Sequence, residues 1–297
     1  MSDLTVLITG GTSGVGKATA GQLADSGHRV LAIGRNRDKA RLVDVDLRQA
    51  GGAAHAVDIA ARPGWDAATE WVSQHTDHLD VLIHAAGVML PDRQTTTDGI
   101  ELNFAIHHLA PFALTSRLLP VLRRGAVAHG PDHASLPRVV NVNSAGHQAS
   151  LAGHINPLLD FDDLQSAKGY DPFLAYSRSK LANLLFTYEL VRRYGDELAI
   201  AALHPGVVRT DIGRHFPRIR VAAAQAFAIS PRRSARSVLS LATQPLPHNG
   251  QYFDQSTPAR SSPPSHDPAT AARLWAITEE LCGPFQPHNH RRHSTLP

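Results

Sequence analysis

Tyr176 and Lys180 stand four residues apart in Tyr-Ser-Arg-Ser-Lys, inside a stretch whose apolar spacing predicts a helix over 172–194. Residues at i and i+4 share a helix face, so the phenol and the amine point into one cleft. A phenol at its ordinary pKa of ~10 is a poor acid-base group at neutral pH. An ammonium ~4 Å away, at an effective dielectric of ~20, favours the phenolate by up to ~4 kcal/mol, about three pK units. The chemistry expected is proton exchange at Tyr176, with its pKa drawn towards neutrality by Lys180. Tyr-x-x-x-Lys is common by chance and usually marks surface residues, so its weight depends on its company.

The company begins near the start of the chain. An apolar, β-branched run over 5–9 leads into Gly10-Gly11-Thr12-Ser13-Gly14-Val15-Gly16, and a helix is expected from Lys17 onward. Glycines where a strand becomes a helix let backbone N–H groups hold a pyrophosphate, helped by the helix dipole. Gly10, Thr12, Ser13, Gly14, Val15 and Gly16 are the candidate cradle. Gly11 to Lys17 also fits most of a nucleotide-triphosphate loop, but that motif needs a hydroxyl after the lysine to hold magnesium, and this chain has Ala18.

The end of the second strand chooses between dinucleotides. An acidic residue there bonds a ribose 2′-hydroxyl, whereas an arginine accommodates a 2′-phosphate. The sequence reads Ala-Ile-Gly-Arg35-Asn-Arg with no carboxylate before Asp38, which points to NADP(H) held by Arg35; the bland alternative is a solvated residue at a helix start. Asp58, closing the third strand, is placed either to accept from an adenine amino group or to cap the next helix.

The elements that must position these groups follow from patterning. Short runs over 5–9, 29–34, 53–58, 81–84, 138–143, 199–203 and 251–253 read as strands, and longer amphipathic stretches fill most intervals. The fold class expected is α/β: a doubly wound Rossmann fold, with a seven-stranded, mainly parallel sheet covered by helices on both faces. A long helix is expected over 97–124 with a kink at Pro111, and a late one over 267–281, opened by Pro268 and stopped by Gly283. The chain has 297 residues, 42% hydrophobic and 19% charged, with no composition shift or internal repeat. One domain over 1–283 is the economical division, with a frayed tail over 284–297 and a substrate lid over 213–230.

Other classes recede on the same grounds. A net charge of +3 over this length makes no basic stripe, so no nucleic-acid partner is expected. No apolar run reaches the ~20 residues of a transmembrane anchor, and no hydrophobic signal region opens the chain. One cysteine, Cys282, forms no internal disulfide or cysteine zinc cage, and a cytoplasmic location is the expectation. The 18 histidines show no metal-ligand spacing, so no metal is expected. A homo-oligomer is left open.

Six motifs then occur in a fixed order: TGGTSGVG over 9–16, Asp58, HAAG over 84–87, NVNSAGH over 141–147, YSRSK over 176–180 and HPGVVRT over 204–210. In that order they resemble the short-chain dehydrogenases/reductases. LAYSRSKLANLLFTYEL, LHPGVVRTDI and DPATAARLWAITEELCG resemble more narrowly its retinol-dehydrogenase-like branch. The resemblance implies that Ser144 bonds the substrate oxygen, Tyr176 exchanges its proton, and Lys180 holds the nicotinamide ribose while lowering the tyrosine pKa. It further implies that Ala85, Ala86 and Gly87 line the cofactor, together with Pro205, Gly206, Val208 and Thr210. The implied function is hydride transfer between NADP(H) and the carbonyl or alcohol of a small, apolar substrate.

Three departures from that pattern stand out. The family's long helix carries an asparagine that helps hold a proton-relaying water, and His107 occupies its position in IHHLAPF; Asn103 lies one turn too early. Neutral histidine donates on one ring nitrogen and accepts on the other, but it titrates near ~6.5. Three outcomes are open: a relay with altered pH dependence, a weakened relay, or a water site supplied by helix backbone alone. His84 replaces an asparagine whose loss bears on stability, and Asn143 replaces the first serine of the usual pair. The competing function is an NADP-binding regulatory or scaffold protein with weakened catalysis.

Overall fold

The computed structural model describes residues 3–129, 136–148, 157–209 and 228–288. The first half alternates strictly: β1 (Thr5–Thr9), α1 (Gly14–Asp25), β2 (Arg29–Gly34), α2 (Arg37–Arg48), β3 (Ala53–Ala56), α3 (Arg62–His75) and β4 (Val81–His84). After β4 come a one-turn helix α4 (Leu102–Phe104), a π-helical turn (Ala105–Leu109), α5 (Ala110–His129) and β5 (Arg138–Val142). The second half contains α6 (Pro172–Tyr194), β6 (Ala199–His204), α7 (Pro231–Thr243), β7 (Gln251–Asp254), β8 (Thr257–Ala259) and α8 (Pro268–Cys282).

The strands form one sheet in the order β3-β2-β1-β4-β5-β6-β7-β8, parallel throughout except for the antiparallel β7–β8 pair. Side chains on a strand alternate between faces, and here both faces are dry. Val6 and Ile8 of β1, with Val81 and Ile83 of β4, enter one apolar cluster with α1, α2 and α7 residues. Leu7 and Leu82 enter the opposite cluster, with α3, α5, α6 and α8. Burial on both faces is why these strands read as continuous apolar runs and not as polar-apolar alternation.

The sheet has eight strands where seven were expected. The additional one, β8, is three residues long and contains Pro258, too short and too proline-marked to register as a pattern; an edge position tolerates a residue with no N–H. It turns back from β7 through Gln255, whose φ of 55° is left-handed.

The single helix expected over 97–124 is also revised. Thr95 bridges to Glu101 across a turn at Gly99, where φ is +77°, and helix begins only at Leu102. The Glu101 carboxylate caps that start by accepting from the Asn103 and Phe104 amides. The irregularity expected at Pro111 is the π-helical turn just before it, which leads into α5; Pro120 lies within α5 itself.

At the far end, α8 lies against α6 and the π turn. His108 Nε2 meets Thr278 Oγ1 at 2.7 Å, and Trp275 packs on Phe112 and Phe186. The expectation that fraying starts at Pro284 is corrected: Phe285 is buried against Phe112 and Trp275, and Tyr194 donates its hydroxyl to the Gln286 carbonyl at 2.6 Å. Residues 289–297 lie outside those described. Trp275→Ala empties the centre of this aromatic group and is expected to lower stability by about 3–5 kcal/mol. Urea unfolding of the two proteins measures it, and a loss below about 1 kcal/mol would show that the cluster collapses to fill the gap.

Candidate active site

Successive parallel strands wind outward in opposite directions from β1 and β4, and the carboxyl ends of such strands open a crevice. β5 ends beside it, and its next residues build the chemistry. Asn143, only 3% exposed, accepts the Ser144 amide on Oδ1 at 2.7 Å and donates from Nδ2 to the Lys180 carbonyl and to Asn183 Oδ1. One side chain therefore sets the turn that presents Ser144 relative to the helix that carries Tyr176 and Lys180. Ser144 Oγ accepts from the Gly146 amide at 3.1 Å, and it meets the Tyr176 ring at Gly146, where a Cβ would lie 3.5 Å from the Ser144 hydroxyl and 3.4 Å from the ring. From behind, His147 donates through Nδ1 to the Ser144 carbonyl at 2.5 Å.

α6 starts at Pro172 with Asp171 as its cap, accepting from the Leu174 amide. Within it Tyr176 and Lys180 share a face, as their spacing predicts, and Lys180 Nζ stands 5.8 Å from the centre of the Tyr176 ring. The electrostatics differ from expectation. Nζ is tied to the Val142 carbonyl at 3.1 Å, and burial lowers the Lys180 pKa to about 7. Burial also raises the Tyr176 pKa, against a lowering contribution from the Ser144 side chain. In this structure the phenol is thus held neutral, because desolvation disfavours both charged forms.

His107, in the π turn, is only 2% exposed beside the same pair. Its ring stands edge-on to Tyr176 at 5.3 Å, and the Asn183 side chain donates to its carbonyl at 2.8 Å. Ser144, Tyr176, Lys180 and His107 are thereby brought into one hydrogen-bonded group.

The glycine loop closes the other side of the crevice. Gly10 has φ of +68°, and a Cβ there would lie 2.7 Å from the Ala86 Cα; one on Gly16 would lie 2.3 Å from the Gly10 carbonyl. Only glycine lets the three segments meet. Ser13 caps α1 with no side-chain bond to its first-turn amides, so the loop offers N–H groups at a helix N-terminus, a donor set that fits a dinucleotide pyrophosphate. Ala85 and Ala86 are held in place by bonds from their amides to Thr9 O and Oγ1. Arg35 lies exposed between β2 and α2, and Lys39 reaches back from α2 to Ser13 Oγ at 3.5 Å.

Asp58 accepts from the Ala60 amide, and the cap of α3 is Ala61, so the helix-cap alternative for Asp58 is not what the structure shows. After β6, Pro205 is fixed by a bond from Ser234 Oγ, and Gly206 has φ of +86°. Val208 bridges to Ile229 in parallel fashion, so Ile229, within the segment expected as a lid, pairs with the chain that follows β6. Thr210 and most of the expected lid fall outside the described residues. Sequence reasoning missed Lys39, Asn143, Asn183, Ser179 and His147 as contributors. Lys39 was findable, one turn inside a helix capped by Asn36; the others act through tertiary hydrogen bonds that no spacing encodes.

The family profile described as short chain dehydrogenase matches residues 4–154. Mouse retinol dehydrogenase 14 is 36% identical over 306 residues, covering 95% of this chain and 87% of its own. The crystal structure of an uncharacterised protein from Mycobacterium paratuberculosis aligns with a TM-score of 0.73 and 30% identity, covering 97% and 96% of the two chains. NADPH-bound carbonyl reductase from chicken fatty liver aligns with a TM-score of 0.66 at 20% identity, over 88% of this chain and 100% of the other.

Proposed function

The chain belongs to the short-chain dehydrogenase/reductase family, in its retinol-dehydrogenase-like branch, and on that premise we propose that it is NADP(H)-dependent and acts on a small apolar carbonyl or alcohol. Its activity as an oxidoreductase of CH–OH and C=O groups follows from the family itself. The observation that carries the site assignment is the convergence of Ser144 and Tyr176 at Gly146, beside buried Lys180 at the carboxyl edge of β5.

The bound nicotinamide supplies or accepts the hydride. The chain's own residues hold the proton and the oxygen. Ser144 positions the substrate oxygen by hydrogen bonding, and the Tyr176 hydroxyl, kept protonated by burial, gives its proton to that oxygen in reduction or takes one in oxidation. Lys180, poised near neutrality, fixes the floor of the site through Val142 and holds the ribose side. The loop from Gly10 to Gly16 would hold the pyrophosphate, with Ala85, Ala86, Gly87, Asp58, Pro205, Gly206 and Val208 lining the remainder.

Support for NADP(H) over NAD(H) is the positive pair at the adenosine end, Arg35 with Lys39 beside Ser13, and the absence of a carboxylate at the end of β2. The chicken carbonyl reductase that shares the fold is itself an NADPH complex. Support for an apolar substrate is Val207, exposed to 55% in the turn after β6, together with the retinol in the relatives' names. A cytosolic location agrees with a single, buried cysteine.

Purified protein assayed for NADPH and NADH oxidation against aldehydes, ketones and quinones tests this directly. NADPH-linked turnover is expected, and tight binding without turnover would instead favour the cofactor-binding regulatory reading. Arg35→Asp removes a charge-assisted phosphate contact worth about 1.5–3 kcal/mol, so the NADPH-to-NADH preference is expected to fall by about tenfold to a hundredfold. An unchanged ratio would move the 2′-phosphate assignment away from Arg35.

A further inference from the structure

His107 sits where proton relay is expected, yet both of its ring nitrogens are committed elsewhere. Nε2 accepts the Val88 amide at 3.1 Å, and Nδ1 meets Ser179 Oγ at 2.8 Å. Ser179 donates its only hydroxyl hydrogen to the Tyr176 carbonyl at 2.6 Å, so towards His107 it can only accept. The tautomer is therefore determined by its partners: hydrogen on Nδ1, lone pair on Nε2. A proton added at Nε2 would break the Val88 bond and set two donors face to face.

The surroundings agree. The ring is enclosed between the loop after β4 and α6, with Tyr176 and Lys180 as the titratable groups facing it from α6. Among the described residues no carboxylate acts on it to favour the charged form, while burial first and the Lys180 charge second hold its pKa well below the imidazole range. The neighbouring His108 points the other way, to Thr278. The histidine backbone is committed too. Its carbonyl accepts from Asn183, which accepts from Asn143, which orients Ser144.

We infer that His107 is a neutral strut that fixes the Tyr176 turn of α6 to the loop following β4, and does not itself carry the proton. The inference rests on the assignment of Tyr176 above and deepens it: His107 is a positioning residue. It joins, through one ring, the segment expected to line the cofactor and the segment that holds the phenol. This also selects among the three sequence-level outcomes. A relay through the imidazole, with its own pH dependence, would have to break a hydrogen bond at each end.

Nitrogen-15 NMR of histidine-labelled, cofactor-free protein reads the ring without any turnover, so its result stands apart from whether the enzyme is active. The His107 signals, identified by their loss in His107→Gln and by their shift in Ser179→Ala, are expected to show the Nδ1–H tautomer with no titration between about pH 5.5 and 9. Titration in that range, or the Nε2–H tautomer, would overturn the inference. Kinetics adds the positioning test. His107→Leu, which makes neither bond, is expected to lower kcat by about ten- to a hundredfold. His107→Gln, which can still donate and accept, is expected to recover part of that loss. The acid limb of the pH–rate profile should keep its midpoint in both variants, and its disappearance from both would make His107 the proton carrier. Should His107→Gln fail to fold, the wild-type and Ser179→Ala spectra decide alone.

Discussion

Tyr176→Phe is expected to lower turnover by about 10²–10⁴-fold while leaving the fold and dinucleotide affinity intact. The substitution removes one oxygen. The ring stays where it is, because its edge-on contact with His107 at 5.3 Å and the bond from Ser179 to the residue's own carbonyl do not involve the hydroxyl. What disappears is the proton held next to Ser144. Steady-state rates and a fluorescence titration with NADPH separate the two effects. Retained turnover would remove Tyr176 from proton transfer, whereas lost cofactor affinity would show that the hydroxyl also supports binding.

The second large effect concerns the fold in acid. His84 and His108 are buried neutral, and desolvation lowers both pKa values to about 3 from an ordinary value of 6.5. Below pH 6.5 the unfolded chain binds a proton at each position and the native chain does not, so stability falls as pH falls, throughout the window from 6.5 to about 3. Each group contributes about 1.36 kcal/mol per pH unit. Between pH 6.5 and 4.5 the pair removes about 5 kcal/mol, comparable with the whole stability of many domains. His147, lowered to about 4 by burial, adds a third proton over most of that range. Urea unfolding at several pH values measures the slope. His84→Asn is expected to flatten it by about one proton, and an unchanged slope would show that His84 is solvated in the native state.

These buried histidines show why the sequence is legible in some places and not in others. Strand positions were readable because both faces of the sheet are apolar: β1, β2 and β4 match their expected limits residue for residue. The glycine loop and the Tyr176–Lys180 pair were readable because their spacing is local. What local pattern could not reveal was dictated from a distance. Whether a histidine is a surface base or a core residue depends on what covers it, and His108 is covered by Thr278, 170 residues away. The protonation of Tyr176 was misjudged for the same reason: charge spacing along a helix carries no information about desolvation. Asn143 was taken for a lost hydroxyl, and it is the residue that joins the Ser144 turn to α6.

The clasp made by the last described residues has a consequence for biosynthesis. α6, which carries Tyr176 and Lys180, is buried along nearly its whole length, and part of that cover is Trp275 and Phe285. A nascent chain can pair its first strands early, but the helix that bears the reactive side chains keeps an uncovered aromatic flank until Trp275 and Phe285, far downstream of it, have been made. Chaperone demand and proteolytic vulnerability should therefore concentrate in the interval when the sheet is assembled and α8 has not yet left the ribosome.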